Sequence, residues 1–358
     1  MEKKIAVLAG DGIGPEVMKE ALRILDKIAI KFGHKFQFKS ALIGGAAYDK
    51  YGEHFPQETK DICKNCDAIL FGSVGGPVDK LTESKWANCE RNALLGIRKE
   101  FNFHANFRPA RIYKSLSNIC PLKKEIIEKG IDLLVVRELI GGIYFGLHEM
   151  KEIEGKRTAK DVMEYNEDQI RIIAHDGFQA AQKRRKKLTS IDKANVLDCS
   201  KLWRQIVDEV AKEYPEIEYC HMLVDNCAMQ LIKDPSQFDV ILTENTFGDI
   251  LSDEAAVLPG SLGLMPSASL NKDGFGLFEP SGGSAQDIAG KGIANPIAQI
   301  LSAAMMLKYG FGMIQESEDI ENAVQKTLED GFRTGDIYEE GMKKVGTSEM
   351  GDEIEKRI

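Results

Sequence analysis

Short apolar runs alternate with amphipathic helical patterns along most of the chain, and this alternation restricts the fold more than any other feature. Runs of strand character recur at 36–42, 68–71, 133–137, 240–243 and 262–265, with helical patterns between them, notably at 167–186, 201–214 and 296–308. A parallel strand pair needs a crossover connection, and a helix supplies it, so the predicted class is α/β with a largely parallel sheet. The start of the chain shows the same plan. Residues 4–8 are mostly apolar, a glycine turn follows, and Gly14-Pro15-Glu16 opens a helix with proline in its first turn and an acid near its positive end. Val17, Ala21, Ile24, Leu25 and Ile28 then keep the helical period. The stretch 143–165 breaks the plan: it alternates apolar and polar residues without a helical period. It reads as an antiparallel hairpin or arm, of a kind that can pair with a second subunit.

A chain of 358 residues is too long for one small core, so two domains are expected. The net charge of -9 argues against a nucleic-acid surface over the whole protein. No apolar run approaches the ~20 residues that cross a bilayer. The first apolar run meets Asp11 and a glycine cluster at once, which suits a first strand and not an export signal. Seven scattered cysteines, an odd number, then point to free thiols in a reducing cytoplasm. Cys63 and Cys66 form a C-x-x-C pair with no second pair at zinc-finger spacing. The basic run 183–187 reads either as an RNA contact or as the solvated end of a helix, where cations complement the negative pole.

Two aspartates, Asp249 and Asp253, stand four residues apart, on one face if the segment is helical. Like charges so placed repel unless a cation lies between them. The pair is either a site for a hard divalent ion, Mg²⁺ or Mn²⁺, or an acidic solvated face. The turn 9–15 invites a Rossmann reading and fails it, because Pro15 occupies the third glycine position and no acid follows about 20 residues on. A second glycine-rich stretch, 278–296, runs into a helix near Asn295 and carries Asp287 among small residues. It fits either a phosphate and ribose contact or a structural loop. Arg98, Arg108 and Arg137 sit in apolar surroundings, and Arg137 ends an apolar strand. Arginine there can hold a carboxylate bidentately, or serve in an ion pair. Tyr144 follows two glycines and is either a proton donor or a core aromatic. Lys193 stands alone in a strand-like segment, where a lowered pKa would make it a base. Asp225 offers a third carboxylate.

Five long motifs join these positions: Gly-Asp-Gly-Ile-Gly-Pro-Glu at 10–16, Phe-Gly-Ser-Val-Gly-Gly-Pro at 71–77, Arg-Glu-Leu-Ile-Gly-Gly-Ile-Tyr-Phe-Gly at 137–146, Asp-Lys-Ala-Asn-Val-Leu at 192–197 and Phe-Gly-Asp-Ile-Leu-Ser-Asp at 247–253. Through them nearly the whole chain resembles the metal-dependent β-decarboxylating dehydrogenases, the isocitrate/isopropylmalate dehydrogenase family. The resemblance implies a two-domain fold with a mixed, largely parallel sheet that is not a Rossmann fold. Residues 1–104 and 259–358 would form the cofactor-side domain. Residues 105–258 would form the substrate and dimerisation domain, with an arm near 143–165.

The implied reaction is NAD-dependent oxidative decarboxylation of 3-isopropylmalate in leucine synthesis, with a tartrate or D-malate enzyme as the alternative. In the implied site Arg98, Arg108 and Arg137 bind substrate carboxylates, Tyr144 protonates the enol, and Lys193 acts on the C2 hydroxyl. Asp225, Asp249 and Asp253 hold Mg²⁺ or Mn²⁺, and Asp225 also borders the substrate. Lys193 and Asp225 would come from the partner of a homodimer with shared sites. Leu94, Leu95 and Val196 would face the isopropyl group. Gly282, Gly283, Ser284, Ala285, Asp287, Ile288 and Asn295 would hold NAD, with Asp287 on the ribose. Three positions depart from common family residues: Gly282 stands for His, Gln286 for Pro and Ile140 for Thr.

Overall fold

The computed structural model describes residues 1–358. In chain order its strands are β1 Glu2–Gly10, β2 Lys35–Ser40, β3 Ala68–Ser73, β4 Ala105–Arg111, β5 Asp132–Glu138, β6 His148–Ile153, β7 Lys156–Asp161, β8 Lys187–Asp192, β9 Glu218–Leu223, β10 Val240–Thr243, β11 Pro266–Leu270 and β12 Gly276–Pro280, followed by the short pair Phe332–Arg333 and Lys343–Lys344. The chain divides into two compact units, one of residues 1–101, 112–121 and 259–358, the other of residues 102–111 and 122–258.

The first unit orders its strands β2-β1-β3-β12-β11. Only β11 runs antiparallel to its neighbour, β12. Every residue of β3 is buried, as in strands covered on both faces. The helix Gly14–Phe32 has its proline in the first turn and ends at Gly33, whose φ of 69° lies in the left-handed region. The sequence placed 112–121 in the middle domain, but this segment packs in the first unit. Arg333 Nη2 donates to the Ser115 carbonyl at 2.7 Å. A methyl on Gly260 would lie 2.6 Å from Ile119 Cδ1.

The second unit orders its strands β4-β5-β10-β8-β9. β4 is antiparallel to β5, and the other pairs are parallel. Its core gathers Ile170, Phe178, Trp203, Val207 and Leu242 from helices Glu167–Gln182 and Asp198–Ala211 and from the sheet. Asn166 and Gln169 close a reciprocal capping box at the start of the first of these helices. Within 143–165, β6 and β7 form an exposed antiparallel hairpin. The run at 262–265 is not a strand. Leu262–Leu264 is a single 3₁₀ turn capped by the Ser261 hydroxyl, and β11 begins only at Pro266.

Candidate active site

The parallel strands of the second unit bring several predicted residues to one place. β5 ends in Arg137 and Glu138, and β10 ends just before the helix Asn245–Ala256. That helix carries Asp249 and Asp253, so the four-residue spacing does place them on one face. Arg108 comes from β4. Its Nη1 donates to Asp253 Oδ1 at 3.0 Å and to Ser252 Oγ at 2.8 Å. Arg137 is 1 % exposed and pairs with Asp249 through Nη1. Its Nε and Nη2 donate to Asn245 Oδ1 at 3.1 and 2.8 Å. The Tyr144 hydroxyl donates to Asp249 Oδ2 at 3.1 Å.

Two cations therefore stand against two carboxylates, with a phenol beside them. Burial raises the Tyr144 phenol, and the neighbouring Asp249 raises it further. Tyr144 is thus held protonated, as a proton donor must be. Lost hydration raises the Asp253 carboxyl, opposed by Arg108.

Lys193 and Asp225 form a separate pair. Lys193 follows β8 directly, Asp225 opens the helix Val224–Lys233, and Lys193 Nζ lies 2.5 Å from Asp225 Oδ1. Hydrogen bonding to Lys193 holds the Asp225 carboxyl below its ordinary range. No group of three or more His, Cys, Asp or Glu in the chain is arranged to hold a metal ion. Within one chain the three predicted metal ligands therefore stand as a pair and a separate single residue. Val196 is 65 % exposed.

In the first unit, Leu94 and Leu95 are half-buried on a π-helical turn, Arg91–Leu95, that runs into the helix Gly96–Glu100 carrying Arg98. Arg98 is buried, donates from Nη2 to Glu279 Oε1 at 3.2 Å, and leaves its Nε without a partner. The same unit holds a cavity of about 600 Å³, a size that accepts a small-molecule ligand. Gly282, Gly283, Ala285, Ile288 and Asn295 line it. Ser284 and Asp287 do not. The Ser284 carbonyl instead accepts from Ile13 N at 2.9 Å, and Asp287 is exposed.

This contact explains the failed Rossmann motif. A methyl on Gly12 would lie 1.9 Å from the Ser284 carbonyl oxygen. Gly12 thus lets the second glycine loop pack against the first turn. Sequence reading missed Ile13, Leu262, Asp336 and Lys344 in the lining. Asp336 had one readable signal, an acid beside a turn glycine, and it accepts from Asn295 Nδ2 at 3.0 Å and Ser261 Oγ at 2.5 Å.

The departures from common family residues have local accounts. Gln286 Nε2 donates to the Gly75 carbonyl at 2.6 Å. A side chain at Gly282 would meet only Leu262 Cβ, at 3.9 Å, so the glycine leaves open space in the cavity wall. At Ile140 the backbone N–H does the work, donating to Glu138 Oε1 at 2.6 Å. The basic run 183–187 is partly committed inward: Arg184 Nε donates to Asp239 at 2.7 Å, and Arg185 Nη2 to the Phe238 carbonyl at 2.6 Å. Burial pushes the Cys63 thiol up to about 12, which keeps it an unreactive neutral thiol.

Glu138 carries the strongest burial effect beside the arginine and aspartate cluster. Desolvation pushes its carboxyl from an ordinary 4.5 up to about 7, against the Ile140 and Gly141 N–H groups that favour the anion. The folded state therefore holds a proton that the unfolded chain has released. Its contribution to stability is full below the unfolded value, declines as pH rises toward 7 and is gone above it. Thermal unfolding between pH 5 and 8 is expected to show this loss, and Glu138→Gln should flatten it. A slope equal in both proteins would exclude Glu138 as its source.

The model of the isocitrate/isopropylmalate dehydrogenase family matches residues 4–354. The chain is 56% identical over 362 residues to a 3-isopropylmalate dehydrogenase of Clostridium pasteurianum, covering 100% of this chain and 99% of that protein. It is 57% identical over 360 residues to one of Geobacter sulfurreducens, covering 98% of each. Among solved structures, isocitrate dehydrogenase from Methylococcus capsulatus is similar with a TM-score of 0.88 at 34% identity, covering 99% of each chain. The apo form of a β-decarboxylating dehydrogenase from Thermococcus kodakarensis gives 0.79, also at 34% identity, covering 99% of this chain and 96% of that one.

Proposed function

The chain belongs to the isocitrate/isopropylmalate dehydrogenase family, and from that we propose that it catalyses NAD-dependent oxidative decarboxylation of 3-isopropylmalate to 4-methyl-2-oxopentanoate and CO₂, a step of leucine biosynthesis in the cytoplasm. The full-length likeness to 3-isopropylmalate dehydrogenases carries this reading. The half-buried pair Leu94 and Leu95 agrees with it, since an apolar wall suits a branched alkyl group better than a third carboxylate.

The chain's residues fit the groups this reaction needs. Asp249 and Asp253 present hard oxygen donors one helical turn apart, of the kind Mg²⁺ and Mn²⁺ prefer. Asp225 of a second subunit would complete the set. The open wall at Gly282 and Gly283 and the polar Asn295–Asp336 contact suit the adenosine half of NAD. When bound, the metal ion stabilises negative charge developing on the substrate oxygens, and NAD accepts the hydride.

Arg98, Arg108 and Arg137 hold the substrate carboxylates and remove orientational freedom. Lys193 of the second subunit takes the C2 hydroxyl proton, directly or through water. Tyr144, kept protonated by its surroundings, returns a proton to the enol carbon. A homodimer has further support in exposed apolar residues on two adjoining segments: Met229 and Ile232 on helix Val224–Lys233, and Ile250 and Val257 on and just past helix Asn245–Ala256.

The test is NADH formation with 3-isopropylmalate, NAD and Mn²⁺, together with identification of the keto acid. A rate equal to that of buffer alone ends the proposal. Asp287→Ala should raise the KM for NAD about ten-fold and leave kcat unchanged, the loss expected for a ribose hydrogen bond. An unchanged KM would remove Asp287 from the cofactor site.

A further inference from the structure

Behind the arginine and aspartate cluster lies a buried network that the reaction scheme does not use. The Tyr165 hydroxyl stands 3.0 Å from Glu138 Oε2 and 3.1 Å from Glu244 Oε2, and accepts from Asn245 N at 3.0 Å. Both glutamates are at most 3% exposed. Each also binds the backbone of a functional segment. Glu138 accepts from Ile140 N and Gly141 N, which lead to Tyr144. Glu244 caps the helix of Asp249 and Asp253, accepting from Thr246 N at 3.0 Å and Phe247 N at 2.7 Å. Asn245 closes the circuit, with Nδ2 donating to the Gly141 carbonyl at 3.1 Å while Oδ1 holds Arg137.

The glycines fit the same arrangement. A methyl on Gly141 would lie 2.5 Å from Tyr165 Cε1, and one on Gly142 would lie 2.6 Å from its hydroxyl.

Counting protons decides what the network is. A phenol has one hydrogen and can serve one carboxylate. The second buried carboxylate would then face a phenol lone pair at hydrogen-bond distance, a repulsive contact unless that acid carries a proton of its own. We propose that Glu138 and Glu244 hold one proton between them through Tyr165, and that the three act as positioning residues fixing the Tyr144 loop to the helix of Asp249 and Asp253. The other charged or titratable groups facing the pair are Arg137, Cys199 and Tyr144, on the Glu244 side. Burial raises both glutamates, in keeping with one of them being neutral. The inference rests on the dehydrogenase reading for its readout. The wild-type rate on 3-isopropylmalate tests that reading separately.

Tyr165→Phe removes the hydroxyl and keeps the ring. It should lower kcat by about ten-fold or more, since small displacements of reacting groups are costly, with the KM for NAD within about two-fold of wild type. Amide hydrogen exchange at Asn245 should accelerate, because its acceptor is gone. Glu138→Gln mimics the protonated acid: its oxygen still accepts from the loop amides and its amide donates to Tyr165. It should therefore recover most of the kcat that Glu138→Ala loses. A wild-type kcat in Tyr165→Phe overturns the proposal, and so does a Glu138→Gln variant as slow as Glu138→Ala. If Tyr165→Phe does not fold, the comparison at Glu138 decides.

Discussion

Asp249→Asn is expected to lower turnover of 3-isopropylmalate by about 10³-fold, the range seen when one electrostatic contact to developing charge is removed. The amide keeps the shape of the side chain. Its oxygen can take the place of Oδ1 and accept from Arg137, while its NH₂ takes the place of Oδ2 and can donate to the Tyr144 hydroxyl oxygen. Folding should therefore survive, with an unfolding midpoint close to wild type. The formal negative charge is lost, and with it half of the carboxylate pair on helix Asn245–Ala256. Mn²⁺ binding, followed by spectroscopy without substrate, should weaken together with kcat. A variant that binds Mn²⁺ and turns over normally would return the two aspartates to an ordinary acidic helix face.

Lys193→Met should be nearly as damaging, with a loss of about 10²–10⁴-fold, the usual contribution of a positioned acid or base. The more informative result comes from mixing. If each site draws Lys193 and Asp225 from one subunit and Asp249 and Tyr144 from the other, two inactive proteins can rescue each other. A hybrid dimer of Lys193→Met with Asp249→Asn holds one site with both defects and one with neither. Random reassociation makes about half of the dimers hybrids, so about a quarter of wild-type activity should return. The chain itself motivates this prediction. Lys193 and Asp225 pair with each other at 2.5 Å, and no third acid joins Asp249 and Asp253. Mixtures that stay as inactive as their components would mean that each chain builds its site alone.

Much of the fold was legible because its strands are short and buried. β3 and β10 have no exposed residue and read as unbroken apolar runs. β4 and β9 were missed for a physical reason. β4 contains Pro109 and two arginines, and is held by antiparallel pairing with β5. β9 is the outermost strand of its unit, and none of its residues is buried. The run at 262–265 misled because Leu-Gly-Leu looks the same in a buried turn as in a strand.

The residues gathered around Arg137 were legible by type and spacing, and the shared helix face of Asp249 and Asp253 most clearly. Partners distant in sequence were not. Nothing local marks Glu138, Tyr165 and Glu244 as one network, because the residues are 27 and 79 positions apart and meet only when β5, β10 and the loop before helix Glu167–Gln182 come together. The Ser284 contact was hidden for a related reason, as its backbone carbonyl accepts from Ile13, more than 200 residues earlier in the chain.

Substrate preference separates a 3-isopropylmalate enzyme from its alternatives in a single experiment. Initial rates with NAD and Mn²⁺ should be measured for 3-isopropylmalate, isocitrate, tartrate and D-malate, and the substrates ranked by kcat/KM. The account predicts that 3-isopropylmalate leads, by about ten-fold or more over D-malate, since an apolar pocket gains ~1–3 kcal/mol from small alkyl differences. A higher value for isocitrate or tartrate, or no reduction of NAD by any of the four, would contradict it.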